Sequence, residues 1–80
     1  MKIKILFFGI AKDITGVNAL DIELNDVFNS KELKDLLKEK YSKFNRINDF
    51  SLAVNEAYID EVYSLKNNDV VAIIPPVSGG

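Results

Sequence analysis

Cysteine, histidine and tryptophan are all absent from this sequence of 80 residues. Without cysteine there can be no disulfide, no thiolate metal ligand and no thiol nucleophile. Without histidine the chain lacks the usual general base at neutral pH and the commonest metal ligand. Any chemistry must therefore rest on carboxylates, lysines, hydroxyls or the chain ends, and the sequence predicts no metal site.

An excess of positive charge is also missing. Ten Lys and Arg residues stand against twelve Asp and Glu, which gives a net charge of -2 and argues against a nucleic-acid binder. No apolar run approaches the roughly 20 residues that a membrane span needs. The start, Met1 to Ala11, looks superficially like a signal peptide, but it has no small-x-small cleavage site and runs into Lys12-Asp13. We therefore expect a cytoplasmic protein that binds neither nucleic acid nor membranes.

Hydrophobic periodicity predicts one helix among several short strands. Apolar residues make up 48% of the chain, which suits a single small domain. A capping box formed by Asn29 and Glu32 marks the start of the helix, with Phe28 and Leu33 placed for a hydrophobic staple. The predicted strands are Lys2–Phe8, Ala19–Leu24, Leu52–Asn55, Ala57–Ile59 and Val70–Ile74, and the predicted helix runs from Ser30 to about Tyr41.

The sequence also predicts the form of the segments that connect these elements. Gly9 to Gly16 is predicted to be a loop, and Asn55-Glu56 a turn. Asp60 to Asp69 is predicted to be irregular, with Leu65 as an apolar anchor and a left-handed turn at Asn67-Asn68-Asp69. A polar linker is expected to fold down over the edge of the core, and its apolar residues are Phe44, Ile47 and Phe50.

A row of lysines runs along the predicted helix. Lys31, Lys34 and Lys38 share a face, but Asp35 and Glu39 are interleaved with them. This pattern favours a solvated helix surface over an anion site.

The order of these elements predicts an α+β fold of the β-grasp type. The helix crosses one face of a mixed sheet, and Val70–Ile74, apolar on both faces, takes the central position expected of a buried strand. A right-handed crossover would place this last strand parallel to the first. We divide the chain into a β-grasp domain, residues 1–75, and a C-terminal tail, residues 76–80.

The C-terminal segment consists of a strand followed by an extended tail that cannot prolong the strand. Pro75-Pro76 ends the strand because proline has no N–H to donate to a ladder. From Pro75 to Gly80 an extended path would reach on the order of 18 to 20 Å. Gly79-Gly80 leaves the expected main-chain carboxylate of Gly80 unshielded, so the thread suits a narrow tunnel in a partner. Taken alone, a terminal Gly-Gly pair also fits a frayed chain end. The strand and the two prolines before it favour a tail that enters a partner.

Short motifs spread along the chain resemble a known family. They are Ile5-Leu6-Phe7-Phe8-Gly9, Ala11-Lys12-Asp13, Gly16, Val54-Asn55-Glu56, Leu65, Asp69 and Pro75-Pro76-Val77-Ser78-Gly79-Gly80. Together they resemble the small, sulfur-carrying subunits of molybdopterin synthase, a ubiquitin-like β-grasp family, and the terminal motif is the specific part. Two positions depart from the family: Asn68-Asp69 replaces Gly-Asp, and Ile73-Ile74 replaces an aromatic pair. Asn68 tolerates the left-handed conformation of the turn, and Ile73-Ile74 keeps this part of the strand apolar.

The resemblance implies a sulfur-donating subunit without catalytic side chains of its own and without a stably bound cofactor. An adenylating partner similar to ubiquitin-activating enzymes would couple the Gly80 carboxylate to AMP from ATP, and a sulfur donor would convert it to a thiocarboxylate. The tail, Pro75-Pro76-Val77-Ser78-Gly79, would then insert into the large subunit of molybdopterin synthase. There the sulfur would pass to a cyclic pyranopterin phosphate, whose dithiolene later holds molybdenum or tungsten. The resemblance also implies a heterotetramer with two large subunits.

Docking of the large subunit is expected on the sheet face opposite the helix. This expectation rests on Ile3, Ile5 and Phe7 facing the helix. The apolar contacts expected for the partner are then Phe8, Tyr58, Ile74 and Val77. The alternative is that Phe8 and Ile74 are ordinary core residues, and the neighbouring tail favours the interface.

Three other functions fit the same sequence. A sulfur carrier of the thiamine pathway would share the fold and the glycine pair, although the Pro-Pro-Val-Ser approach favours the molybdopterin assignment. A ubiquitin-like protein modifier would use Gly80 to form an isopeptide bond with a lysine, after the same activation of the carboxylate. The third is a plain interaction module with an inert tail.

Overall fold

The computed structural model describes residues 1–46, 50–59 and 61–75. Its strands are β1 (Lys2–Phe7), β2 (Ala19–Glu23), β3 (Ser51–Val54), β4 (Ala57–Tyr58) and β5 (Val70–Ile74). Its helices are α1 (Ile10–Thr15), α2 (Ser30–Lys40) and a 3₁₀ helix (Ser42–Arg46). Every predicted strand and the predicted helix are present, with ends that differ from the prediction by no more than one residue. The predicted tail, residues 76–80, and Ile47 lie outside the described residues.

The sheet has β5 at its centre. Its order is β2-β1-β5-β3-β4, with β1 parallel to β5 and every other neighbouring pair antiparallel. The predicted β-grasp arrangement, an α+β fold with a mixed sheet and one main helix, is therefore confirmed. Within the described ranges, none of the helices has both the length and the apolar character that crossing a membrane requires.

The core lies between one face of the sheet and α2. Ile5, Val71 and Ile73 of the two central strands are 0% exposed, and Leu33 and Leu37 of α2 belong to the same cluster. The full cluster contains Ile3, Ile5, Phe7, Ala11, Leu33, Leu37, Phe44, Phe50, Leu52, Val54, Leu65, Val71 and Ile73. Since each fully buried side chain of this kind contributes about 1.5 to 3 kcal/mol, this face holds the domain together.

The predicted capping box starts α2. Asn29 Oδ1 accepts the N–H of Glu32 at 2.8 Å, and Glu32 Oε1 accepts the N–H of Asn29 at 3.1 Å. Phe28, just before the cap, packs against the core cluster that contains Leu33. The cap satisfies donors that the first turn would leave unpaired and contributes about 1 kcal/mol.

The predicted loop from Gly9 to Gly16 is wrong, because its middle is the helix α1. Ala11 is fully buried and Ile14 packs against the core, so the segment has a reason to coil against the sheet. Gly16 ends the helix in the left-handed region, with φ of 78°, and its N–H donates to the carbonyl of Lys12 at 2.7 Å. The helix spans only six residues, too few for the periodicity of its apolar positions to stand out in the sequence.

Two phenylalanines of the predicted linker lie inside the core rather than over its edge. Phe44 is 0% exposed and Phe50 is 1% exposed, and their ring centroids are 5.3 Å apart. The 3₁₀ helix that carries Phe44 also places its ring 6.4 Å from that of Phe7. This segment therefore closes one end of the core instead of bordering it.

The segment before β5 matches its prediction. Leu65 is buried in the core, as expected of an anchor. Asn68 has φ of 72°, which confirms a left-handed residue in the predicted turn. Its N–H donates to the carbonyl of Lys2 at 2.7 Å, which ties the turn to the start of β1.

Candidate functional site

The predicted tail begins where β5 leaves the sheet. The ladder with β3 ends at the pair Ser51 and Ile74, and the half-buried Pro75 follows. Since β1 and β5 are parallel, the residues after β1 lie at the same edge of the sheet, and a Cβ added to Gly9 would lie 3.8 Å from Cγ of Pro75. Gly9 has φ of 53°, a conformation that favours glycine. The root of the tail is thus held beside a glycine turn.

The face of the sheet opposite α2, which we call the open face, carries the residues that alternate with the core. Strand register places Leu6, Ala72, Ala53 and Tyr58 in one row across β1, β5, β3 and β4. The short alanine side chains of β5 and β3 leave space between larger neighbours. The result is a groove of about 470 Å³, which we call the apolar groove, lined by Leu6, Phe8, Ala53, Asn55, Glu56, Val70 and Ala72.

The three predicted partner contacts in the described residues share the open face. Phe8 follows β1, lines the apolar groove and is 51% exposed, so the alternative that it is a core residue is wrong. Tyr58, which is 68% exposed, pairs with Ala53 at the β4 edge. Ile74 is half-buried at the end of β5. Val77, the fourth predicted contact, lies outside the described residues.

The far end of the open face is charged rather than apolar. Lys2 lies opposite Glu23, and Lys4 lies opposite Asp21, in the β1–β2 register. All four side chains are exposed. Opposite charges across a strand pair are compatible with a solvated surface, so most of the apolar surface of the open face lies in its middle row and at the end where the tail leaves.

Sequence reasoning missed the floor and the rim of the apolar groove. Ala53 and Ala72 form the floor, but a lone alanine in a strand carries no signal of its own. Only the pairing of β3 with β5 brings these two residues together. Glu56 was predicted as part of a turn and of a family motif, but not as a residue that lines a groove.

The side chains of the described residues offer little catalytic chemistry. Among them no three or more carboxylates gather as a metal site would require. Every buried side-chain nitrogen or oxygen within residues 1–46, 50–59 and 61–75 has a hydrogen-bond partner. Lys34, in the predicted lysine row, has its Nζ 5.4 Å from the centre of the Phe50 ring. The candidate site is therefore the open face with its apolar groove, together with the tail root at Pro75.

Comparison with known proteins finds relatives of similar sequence and fold. The molybdopterin synthase sulfur carrier subunit of Dictyostelium discoideum is 41% identical over 81 residues, which cover 96% of this chain and 94% of that protein. A putative molybdopterin converting factor, subunit 1, from Pyrococcus furiosus has a similar structure, with a TM-score of 0.84, 29% identity, and coverage of 95% of this chain and 98% of that chain.

A third similar protein comes from a solved complex. In the complex of subunits 1 and 2 of the molybdopterin-converting factor from Helicobacter pylori, one chain matches with a TM-score of 0.69 and 33% identity, over 100% of both chains. The resemblance predicted from the sequence is therefore confirmed. Since the family model of the ThiS family matches residues 5–80, the chain belongs to the ThiS family.

Proposed function

We propose that this chain carries sulfur for the synthesis of molybdopterin, with Gly80 as the carrier terminus. The observation that supports this most is the position of the tail root: Pro75 follows the central strand β5, whose Val70 and Ala72 line the apolar groove on the open face. A terminal segment that must enter a partner needs such a surface next to it. The named function of the relatives at 41% and 33% identity points to the same role.

The chemistry would take place at the Gly80 carboxylate. An adenylating enzyme supplies ATP, a carboxylate oxygen attacks the α-phosphorus, and pyrophosphate leaves. A donor of sulfide-level sulfur then attacks the acyl carbon, AMP leaves, and a thiocarboxylate remains. Because a carboxylate is a poor acyl donor until one oxygen becomes a leaving group, activation divides a difficult step into two easier ones. The partners bring the catalytic groups, and this chain brings the acyl group.

The open face would hold the large subunit of molybdopterin synthase. Phe8 and Tyr58 expose aromatic surface of the kind enriched at protein interfaces. With the groove covered by the large subunit, Pro75 to Gly79 would direct the thiocarboxylate toward a cyclic pyranopterin phosphate in that subunit. Two carriers and two large subunits would form the complex, in the cytoplasm.

The mass of the protein from its own cells tests this proposal. Replacement of one oxygen by sulfur adds about 16 Da to the chain, as the activated-acyl route requires. We expect a fraction of the protein at this mass. Hydrolysis of the thiocarboxylate should remove the increment, and alkylation of its sulfur should shift the same fraction to a higher mass. Covalent adducts of the size of another protein would instead indicate a modifier joined to lysine, and the unmodified mass alone would contradict both activities.

A change at the terminus should remove activity without affecting the fold. Deletion of Gly80, or addition of one alanine after it, should abolish sulfur transfer to the pterin precursor, while the midpoint of thermal unfolding stays the same, because terminal residues contribute little to folding. Val27→Ala serves as the control, since Val27 is 87% exposed in the loop before α2. Sulfur transfer by the extended chain at the wild-type rate would disprove the assignment.

A further inference from the structure

The turn between β3 and β4 holds a glutamate in a conformation that disfavours it. Asn55 has φ of 50° and Glu56 has φ of 72°. Two-residue turns with positive φ at both positions commonly use Asn followed by Gly, because glycine has no Cβ to collide with the backbone. Strain of this kind persists when the surroundings impose it, and it is frequent at functional sites.

Hydrogen bonds from Asn55 prevent the turn from relaxing. Its N–H donates to the carbonyl of Val70 at 2.8 Å, and its Oδ1 accepts the N–H of Val70 at 3.0 Å. Its Nδ2 donates to Oδ1 of Asp69 at 2.9 Å. These bonds fix the turn against the start of the central strand, so the backbone of Glu56 is held in one orientation.

The Glu56 carboxylate is available to a partner, whereas that of Asp69 is not. Asp69 is 6% exposed, and its two oxygens accept hydrogen bonds from Asn55 Nδ2 and the N–H of Lys66. Glu56 is exposed, lines the apolar groove and forms no ion pair with any described residue. Of the residues that line the groove, Glu56 is the one with a charge.

The apolar groove, with the Glu56 carboxylate in its lining, fits one type of partner side chain. Arginine and lysine have an aliphatic stem that packs on apolar surface and a cationic head that seeks an anion. Leu6, Ala53 and Ala72 would contact the stem, and Glu56 would receive the head. A fully apolar side chain would leave Glu56 beside apolar surface without a partner, which costs free energy.

We propose that Glu56 is a specificity contact that pairs with an arginine or lysine of the large subunit seated in the apolar groove. This inference rests on the proposed function, because it takes the large subunit as the partner. The strain at Glu56 is then retained for binding, since glycine would suit the turn better but would remove the charge.

Two substitutions distinguish the effect of the Glu56 charge from the effect of the backbone strain. For each variant, binding to the purified cognate large subunit is measured at low and at high salt. Glu56→Gln removes the charge and keeps the strained turn, and we expect binding to weaken roughly 3- to 10-fold at low salt, with a smaller difference at high salt. Glu56→Gly should weaken binding at least as much while it raises the midpoint of thermal unfolding by a few degrees. Glu39→Gln makes the same change of charge at an exposed position of α2 and should leave binding within about 2-fold.

The results distinguish this proposal from the function on which it rests. If Glu56→Gln binds like the wild type at low salt while Phe8→Asp does not bind, the Glu56 contact is disproved and the docking face stands. If both variants bind normally, the large subunit does not dock on the open face. A lower unfolding midpoint for Glu56→Gly would show that Glu56 supports the fold, and would disprove the strain argument.

Discussion

The two faces of the sheet are built from alternate residues of the same strands, yet the described part of the chain covers only one of them. In β5 the core residues Val71 and Ile73 are fully buried, whereas Val70, Ala72 and Ile74 on the open face are only half-buried. A central strand that is apolar on both sides normally lies between two layers. Among the described residues α2 supplies one layer, and the large subunit of the proposed function would supply the second.

The first test of this comparison uses two adjacent isoleucines. Ile73→Ala should lower the free energy of unfolding by about 2 to 5 kcal/mol, because it opens a cavity in the core. Ile74→Ala makes the same chemical change on the open face and should cost roughly 1 kcal/mol, because part of the side chain is already in water. Denaturant unfolding measures both values. Equal losses would show that the open face is as much a part of the core as the covered face.

The second test concerns binding. Phe8→Asp should weaken binding to the large subunit by about 2 kcal/mol or more, since truncated or charged aromatic anchors often cost that much. Thermal unfolding should change little, because half of the Phe8 side chain is exposed. Titration calorimetry and an unfolding curve on the same sample check the two expectations, and wild-type binding by the folded variant would show that Phe8 is not a contact of the large subunit.

The smallest effect is expected at the charged end of the open face. Asp21→Asn should change stability by no more than about 0.5 kcal/mol, as exposed substitutions usually do. Binding to the large subunit should remain within about 2-fold at physiological salt, because exposed charges outside an interface are screened. A large loss of binding, measured beside Phe8→Asp, would extend the interface over the whole open face.

Local sequence patterns predicted most of the fold, because its main features depend on neighbours in the chain. Alternation predicted the strands, and the pair Asn29 and Glu32 predicted the start of α2. The helix α1 was missed because it is short and lies between two glycines. Phe44 was placed at the core edge because a polar segment surrounds it, and only the packed structure shows it among the buried rings.

The candidate site was predictable in part. The tail motif and the exposed aromatic Phe8 stand out in the sequence. The apolar groove does not, because Ala53 and Ala72 meet only through the register of distant strands. The role of Gly80 remains a prediction, as residues 76–80 lie outside the described part of the chain.

The pairing of β1 with β5 has a consequence for synthesis of the protein. These strands lie near opposite ends of the sequence, and Lys4 of one is the partner of Val70 of the other. During translation the sheet cannot close until its last strand has been made, and contacts between such distant segments form late. A chain that still lacks β5 would therefore have no folded body for the proposed activating enzyme to recognise, so the topology would restrict the proposed activation to chains in which β5 has been made.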